Sequence, residues 1–340
     1  ASGTPGYGGY ASVLAPKPSI IPLRPLSIGE ILGGSFESLR ANPKAMFIPS
    51  LVVMTILGLI SALGTTYFFD RLGTSSPYSS PSQPDAADLE KQWSSLFGLY
   101  AQSGVNSILT MFASSILTGL LIVTVSRTIL GRKASLSDVW QRTKPRVWAL
   151  IGQAVIIQLV FTAVLAAAIG VFFAFFFGLR IPDVDSASPD DAVGTILLTI
   201  LGLFVLVALV GLGMFALYCK LSMAPAALIL ENVGVFEGIS RSWALTRGYF
   251  WRVVGIQILS FLIISLASAI VTTPISMLAG VITAAAPSAQ ILALGMSVLL
   301  GNIVTAATLP FDSAVNALIY TDLRMRSEGL DVELRRAAGV

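Results

Sequence analysis

The stretch that decides the fold is SIGEIL, residues 27–32, in which a helix-capping pattern leads into an apolar face. The Ser27 hydroxyl can cap the first turn of a helix while Glu30 reaches back to it, an arrangement called a capping box. Related starts follow at SLSD, residues 135–138, and at GVFE, residues 234–237, each with an acid three positions after the capping position. The sequence therefore predicts three amphipathic helices, each leading into a long apolar segment.

Long parts of the sequence carry no Asp, Glu, Lys or Arg, and they are residues 45–69, 92–126, 147–179, 192–219 and 253–311. A membrane-crossing helix needs about 20 apolar residues, so each of the first four can hold one crossing and the last can hold two. Only 11% of the 340 residues are charged, against about 25% in soluble domains. The sequence therefore predicts an all-α, polytopic membrane bundle of six transmembrane helices.

We expect the crossings at about residues 45–69, 106–126, 147–178, 193–219, 253–273 and 289–320. A Ser- and Pro-rich loop is predicted over residues 70–91, followed by a separate interfacial helix over residues 93–102. Pro274 is expected to end the fifth crossing and to leave residues 275–287 as a re-entrant or interfacial connection. Pro310 is expected to interrupt the sixth crossing.

The chain is predicted to consist of one membrane domain, residues 27–326, between two tails. Three repeats of an amphipathic cytoplasmic helix plus a helix pair are expected within it, at residues 27–130, 131–233 and 234–326. Residues 1–26 are rich in Gly, Pro, Ser and Tyr, which predicts a disordered cytoplasmic tail. Residues 327–340 are expected to form a second cytoplasmic tail.

The distribution of basic residues predicts the orientation. With both termini inside, all but three of the 21 Lys and Arg residues lie in cytoplasmic segments, the exceptions being Arg71, Lys91 and Arg180. The positive-inside rule therefore predicts a multi-pass protein of the bacterial plasma membrane with both termini in the cytoplasm. No basic region followed by a short apolar run precedes the first crossing, so we expect that crossing to direct membrane insertion.

The residue types exclude several classes of chemistry. The sequence has no histidine and a single cysteine, Cys219, so it lacks the usual general base, the commonest metal ligand and the means to form an internal disulfide. No phosphate-binding loop or dinucleotide fingerprint is present. We therefore expect no enzymatic activity, no cofactor, no metal site and no nucleic-acid partner; an intramembrane enzyme is kept only as a third alternative.

Two groups of basic residues are candidates for contact with lipid headgroups or with a partner protein. They follow the second and third amphipathic helix starts and comprise Arg142, Lys144, Arg146, Arg241, Arg247 and Arg252. Each basic residue near an anionic membrane surface is worth about 1 kcal/mol. The alternative is that these charges only set the topology. The amphipathic helices themselves either pack under the bundle or lie in the headgroup layer.

Asp312 is the one acid that falls inside an apolar stretch. An ionisable residue at membrane depth is costly and is a functional-site hypothesis by default. With Asn302 and Thr305 nearby, it predicts a polar site near Pro310, between the fifth and sixth crossings. The alternative is structural, with Asp312 capping a helix that restarts after Pro310 or pairing with a basic residue.

Three stretches carry a resemblance to a known group of proteins, namely IIPLRPLSIGEIL at 20–32, SRSWALTRGYFWR at 240–252 and ALIYTDLRMRSEG at 317–329. They resemble actinobacterial polytopic membrane proteins described as the membrane domain of glycerophosphoryl diester phosphodiesterase. The phosphodiesterase itself is a separate soluble barrel that relies on histidines, so its activity does not follow. The resemblance implies an envelope-associated membrane protein that handles or senses lipids.

The sequence thus leads to two functional hypotheses of different classes. The first is a non-enzymatic membrane protein that binds lipid, with anionic membrane lipids expected, or a membrane-protein partner, in cell-envelope lipid handling. The second is a transporter or flippase subunit whose pathway passes near Pro310 and Asp312.

Overall fold

The computed structural model describes residues 22, 24–72, 86–131, 135–178, 189–286 and 289–329. These residues form ten α-helices and no strand. Four are short, and they are α1 (Ile28–Ala41), α4 (Leu136–Thr143), α7 (Ala224–Leu230) and α8 (Val235–Arg247). Six are long, and they are α2 (Pro43–Leu72), α3 (Ala86–Ile129), α5 (Val147–Gly178), α6 (Pro189–Leu221), α9 (Phe250–Ala285) and α10 (Gln290–Glu328).

The all-α membrane fold predicted from the sequence is confirmed, because each of the six long helices contains a stretch long and apolar enough to cross a membrane. A short amphipathic helix precedes a pair of long helices three times along the described chain: α1 before α2 and α3, α4 before α5 and α6, and α8 before α9 and α10. That this order reflects three repeats stays a prediction. The short helix α7, between α6 and α8, was not predicted.

Three of the predicted helix boundaries are wrong. Residues 93–102 do not form a separate interfacial helix, because α3 runs unbroken from Ala86 to Ile129. Pro274 lies inside α9 and Pro310 lies inside α10, so the re-entrant connection and the interruption are both absent from these helices. Within a membrane no water is available to hydrogen-bond the backbone groups that a proline frees. The helix therefore continues and keeps its remaining hydrogen bonds.

The predicted loop is also shorter than expected. Residues 70–72 belong to α2 and residues 86–91 to α3, while residues 73–85 lie outside the described part of the chain. The predicted N-terminal tail falls outside it too, apart from Pro22 and residues 24–26. Leu26, the last residue of that range, is fully buried.

The capping patterns predicted at the helix starts are confirmed for α1 and α4. The Glu30 backbone N–H donates to Ser27 Oγ at 3.2 Å, and the Ser27 N–H donates to Glu30 Oε2 at 2.7 Å. The Asp138 N–H donates to Ser135 Oγ at 3.2 Å. These bonds satisfy N–H groups that a helix start leaves without an intrahelical partner.

The short helices gather at one end of the bundle, which we call the amphipathic end. The last turns of α3 and α10 and the first turns of α5 and α9 lie there with α1, α4, α7 and α8, joined by side-chain hydrogen bonds and ion pairs. Four of the five tryptophans are at this end and are 45–82% exposed, namely Trp140, Trp148, Trp243 and Trp251. Exposed tryptophans in a belt are typical of a membrane–water interface.

A buried carboxylate joins the start of the described chain to its end. Asp322, on α10, has no exposed surface and accepts hydrogen bonds from Arg252 Nε, Arg326 Nε and the Leu26 backbone N–H, at 3.0, 3.0 and 2.7 Å. Arg252 and Arg326 also donate to the Leu26 carbonyl. Because a buried charge is tolerated only when it is paired and hydrogen-bonded, this network fixes α1, α9 and α10 against one another.

Close approach of α2 and α10 forms the most extensive helix contact in the bundle. A Cβ on Gly295 would lie 2.8 Å from Thr66 Cγ2 and 3.2 Å from the Ala62 carbonyl oxygen. A Cβ on Gly58 would lie 3.0 Å from Asn302 Cβ. Small residues at such contacts let helix backbones approach closely, as helices in membranes require.

Replacement of Asp322 by asparagine should destabilise the protein by about 3 kcal/mol, because it leaves Arg252 and Arg326 without their counter-charge. Thermal unfolding in detergent measures this through a thiol-reactive dye, since Cys219 is the single cysteine and is buried. Asp138→Asn is the matched control, because its carboxylate is 57% exposed in the pair with Arg127. Equal shifts of the two midpoints would contradict the structural role of Asp322.

Gly295→Leu should lower the unfolding midpoint by an amount that corresponds to about 1–3 kcal/mol, because the larger side chain forces α2 and α10 apart. Gly301→Leu serves as the control on the same helix, since no atom lies within 4 Å of the position of its Cβ. The same dye assay compares the two. A Gly301→Leu midpoint as low as that of Gly295→Leu would show that helix contact is not the cause.

Candidate ligand cavity

A cavity of about 240 Å³, open to the outside of the bundle, lies between α3, α5, α6 and α10, and Pro225 of α7 also lines it. Its apolar wall includes Met111, Leu150, Ile157 and Phe161. Its polar wall is unusually rich for a bundle of apolar helices and comprises Ser114, Ser115, Thr118, Gln153, Gln158, Tyr218, Ser222, Asp312 and Asn316. A concave apolar site with a few convergent polar groups is the usual form of a small-molecule site.

Asp312 is the one acid that lines this cavity. Asn316 Nδ2, one turn further along α10, donates to Asp312 Oδ2 at 3.2 Å. Asn316 Oδ1 in turn accepts from Gln257 Nε2 of α9 at 2.7 Å, and the same nitrogen lies 3.3 Å from Ser222 Oγ. Asp312 therefore ends a chain of side-chain amides, and no described residue forms an ion pair with it.

Gln153 supplies the second unusual group in the wall. Its side chain is 1% exposed, and its Oε1 has no hydrogen-bond partner within the described residues. Its Nε2 is 3.5 Å from the Val235 carbonyl of α8. Leaving a buried acceptor unsatisfied costs about 1–3 kcal/mol, so this oxygen is a place where a ligand donor would be favoured.

Asp312 neither caps a helix nor pairs with a basic residue among the described residues. Because α10 continues through Pro310, no helix restarts and Asp312 caps none. Asn302 and Thr305 lie elsewhere on α10: Asn302 is buried against α2, and each donates within its own helix, to the carbonyls of Val298 and Gly301. The site around Asp312 is thus formed by the second, third, fourth and sixth crossings, and Asn302 and Thr305 do not line it.

The six basic candidates divide into two groups of three. Arg146 donates to the Asn232 and Val233 carbonyls, Arg241 pairs with Glu231 and Glu328, and Arg252 pairs with Asp322. These three hold the amphipathic end together. In contrast, Arg142, Lys144 and Arg247 are exposed and form no ion pair within the described part of the chain.

Glu231, just after α7, is the centre of the second ionic network. Burial works against its ionised form, but hydrogen bonds from Arg241 and Tyr320 hold the pKa of the carboxyl below its ordinary value of 4.5. A depressed pKa means that the ionised form contributes stability above pH 4.5, and that this contribution is lost as the pH falls through the folded-state pKa. At neutral pH the network therefore keeps α7, α8 and α10 joined.

Sequence reasoning found Asp312 but missed Gln153, Tyr218 and Asn316. A signal for two of them was present, because amide side chains are rare and costly in a membrane-spanning stretch. Gln153 falls early in the third charge-free stretch, and Asn316 follows Asp312 by one helical turn. Their convergence on one cavity depends on how four helices pack.

Comparison with known proteins gives one result for this chain. No curated protein and no solved structure matches it. A family model described as "Domain of unknown function (DUF7847)" matches residues 26–323, from the buried Leu26 to the residue after Asp322. Since that match covers most of the sequence, the chain belongs to the DUF7847 family.

Proposed function

We propose that this protein is a non-enzymatic membrane protein that handles lipid in the cell envelope, and that its cavity holds the polar part of a lipid. The observation that carries the proposal is the polar wall around Asp312 inside a bundle of apolar helices. Polar groups at membrane depth are costly and are retained where they contact a substrate, an ion or a ligand. A lipid that diffuses in the bilayer is the ligand most available to such a site.

The mixed lining of the cavity supports a ligand with a polar and an apolar part. Its lining includes polar groups such as those of Asp312, Asn316 and Ser222 and apolar side chains such as Ile157 and Phe161. Gln158 of α5, which also lines the cavity, is exposed on the outside of the bundle. A headgroup could therefore enter while its chain stays against the exposed surface of α5.

The proposal also covers the membrane in which the protein lies and its orientation there. The resemblance described above and the distribution of basic residues favour an actinobacterial plasma membrane with both termini in the cytoplasm. In that orientation the amphipathic end faces the cytoplasm, and its exposed cations and tryptophans meet anionic headgroups. We also propose that a membrane-protein partner can bind the same surface.

A transporter or flippase subunit is the second candidate, because an acid without a cationic partner at membrane depth is also typical of transport pathways. Asp312 lies ten residues before Asp322, about 15 Å along α10. This depth would suit a site that opens toward one face of the membrane. Ligand flux into proteoliposomes that depends on Asp312 would favour transport over binding alone.

A cavity-filling variant tests the proposed function. Ala154→Phe places a ring in the cavity that Ala154 lines, whereas Ala167→Phe changes an exposed position of the same helix. Native mass spectrometry of protein extracted gently from its own membrane should find a defined lipid on the wild type and on Ala167→Phe, and none on Ala154→Phe. The same lipid on both variants, or none on the wild type, would contradict lipid binding in the cavity.

The headgroup hypothesis for the basic residues makes a separate prediction. Arg142, Lys144 and Arg247, replaced together by glutamine, should reduce retention of phosphatidylglycerol by about fivefold for each charge, because each contributes about 1 kcal/mol near an anionic surface. The unfolding midpoint should stay near that of the wild type. Arg241→Gln and Arg252→Gln should do the reverse, lowering the midpoint with little loss of lipid, since their charges face Glu231 and Asp322. Unchanged retention in the triple variant would remove the headgroup role.

A further inference from the structure

We infer that the ligand of the cavity carries a protonated amine, which binds at Asp312. This inference rests on the proposed function and names the chemical class of its ligand. Two observations carry it: the carboxylate has no cationic partner among the described residues, and the wall beside it presents hydrogen-bond acceptors, one of which is buried and has no partner in the described structure. Both can be read from the contacts of individual side chains.

The first observation is a contrast between two acids on the same helix. Asp322 is paired with Arg252 and Arg326 and also accepts the Leu26 N–H. Asp312, three turns earlier, accepts a single hydrogen bond, from the neutral amide of Asn316. Asp312 is partly buried where Asp322 is fully buried, but a carboxylate at membrane depth is costly without a positive charge. The chain supplies two such charges at Asp322 and no described one at Asp312, so a cationic ligand is the partner that fits.

The second observation is the balance of donors and acceptors in the wall. The hydroxyls of Ser114, Ser115 and Ser222 donate to the carbonyls of Met111, Leu150 and Cys219. The oxygens of Ser114 and Ser115 are left as acceptors, whereas that of Ser222 already accepts from Gln257 Nε2 at 3.3 Å. Gln153 Oε1 is a buried acceptor without a partner in the described structure. An ammonium group has three donors and no acceptor. These acceptors and the Asp312 carboxylate are complementary to the three N–H groups of an amine.

A metal ion fits this site less well than an amine. Divalent cations prefer several carboxylates, and no group of three or more His, Cys, Asp or Glu side chains among the described residues is placed to hold a metal ion. Asp312 is the single acid, and much of the remaining wall is apolar. An alkyl chain attached to the amine would cover Ile157 and Phe161. The ligand class is thus an amphiphile with a primary amine, such as an aminophospholipid.

The test compares dodecylamine with dodecanol as ligands of the purified protein in a neutral detergent. Dissociation constants come from the concentration dependence of the dye-detected unfolding midpoint. The wild type should bind the amine at least about tenfold more tightly than the alcohol, since hydrogen bonds to a charged group are worth roughly 1.5–3 kcal/mol. Asp312→Asn should lose this preference. Glu90→Gln, the matched control, removes an exposed acid about 30 Å away along α3 and should keep it.

Each outcome decides the inference. Equal affinities of the wild type for amine and alcohol, or an unchanged preference in Asp312→Asn, would overturn it. If both amphiphiles bind equally and Ala154→Phe abolishes both, the amine inference fails while the proposed function stands. If neither binds, both fail. Should Asp312→Asn not fold, Gln153→Leu replaces it, and loss of the unpartnered acceptor should weaken the amine preference while dodecanol binding stays unchanged.

Discussion

The buried carboxylate of Asp322 is the interaction on which the rest of the structure depends. It lies on the last turns of α10, where Arg326 of the same helix pairs with it, and its other partners come from the segment before α1 and from the first turn of α9. A single charge therefore joins the first and last thirds of the matched family region. The Glu231 network holds α7 and α8 to the next turns of the same helix. With α10 fixed in this way, Asp312 three turns earlier is held where α3, α5 and α6 meet.

The membrane fold was predictable because its main determinants are local. Charge-free stretches reveal the six long helices, and capping residues reveal the starts of α1 and α4. The prolines misled the prediction because Pro274 and Pro310 act as helix breakers in water, where the freed carbonyls can be solvated. Inside a bilayer or a packed bundle that alternative is missing, and α9 and α10 continue. The short helix α7 was missed for another reason: its apolar sequence continues that of α6, and the helix-start signal of Pro225 in its first turn went unused.

The candidate site was predictable only in part. A charge inside an apolar stretch can be seen in the sequence, which is how Asp312 was found. Whether a basic residue is free or paired cannot be seen there, because it depends on residues distant in the chain: Arg252 meets Asp322 seventy positions away, and Arg146 meets the turn after α7. Three of the six candidates for contact with a headgroup or a partner form hydrogen bonds or ion pairs within the protein for this reason. Asn302 and Thr305 share α10 with Asp312 but lie outside the cavity wall, so proximity in sequence was misleading for them.

The two acids of α10 differ in how well the surrounding protein stabilises their charges. A bundle that brings two arginines and a backbone N–H to Asp322 has the means to neutralise a buried acid. At Asp312 it brings an amide, and nearby it leaves the Gln153 oxygen without a described partner. Both features reduce the stability of the protein alone. Folded proteins keep such features mainly at functional sites, where a bound ligand returns the lost stability by binding the folded state. This contrast is the reason for proposing the cavity as the functional site, with the ionic networks of the amphipathic end holding the helices that form it.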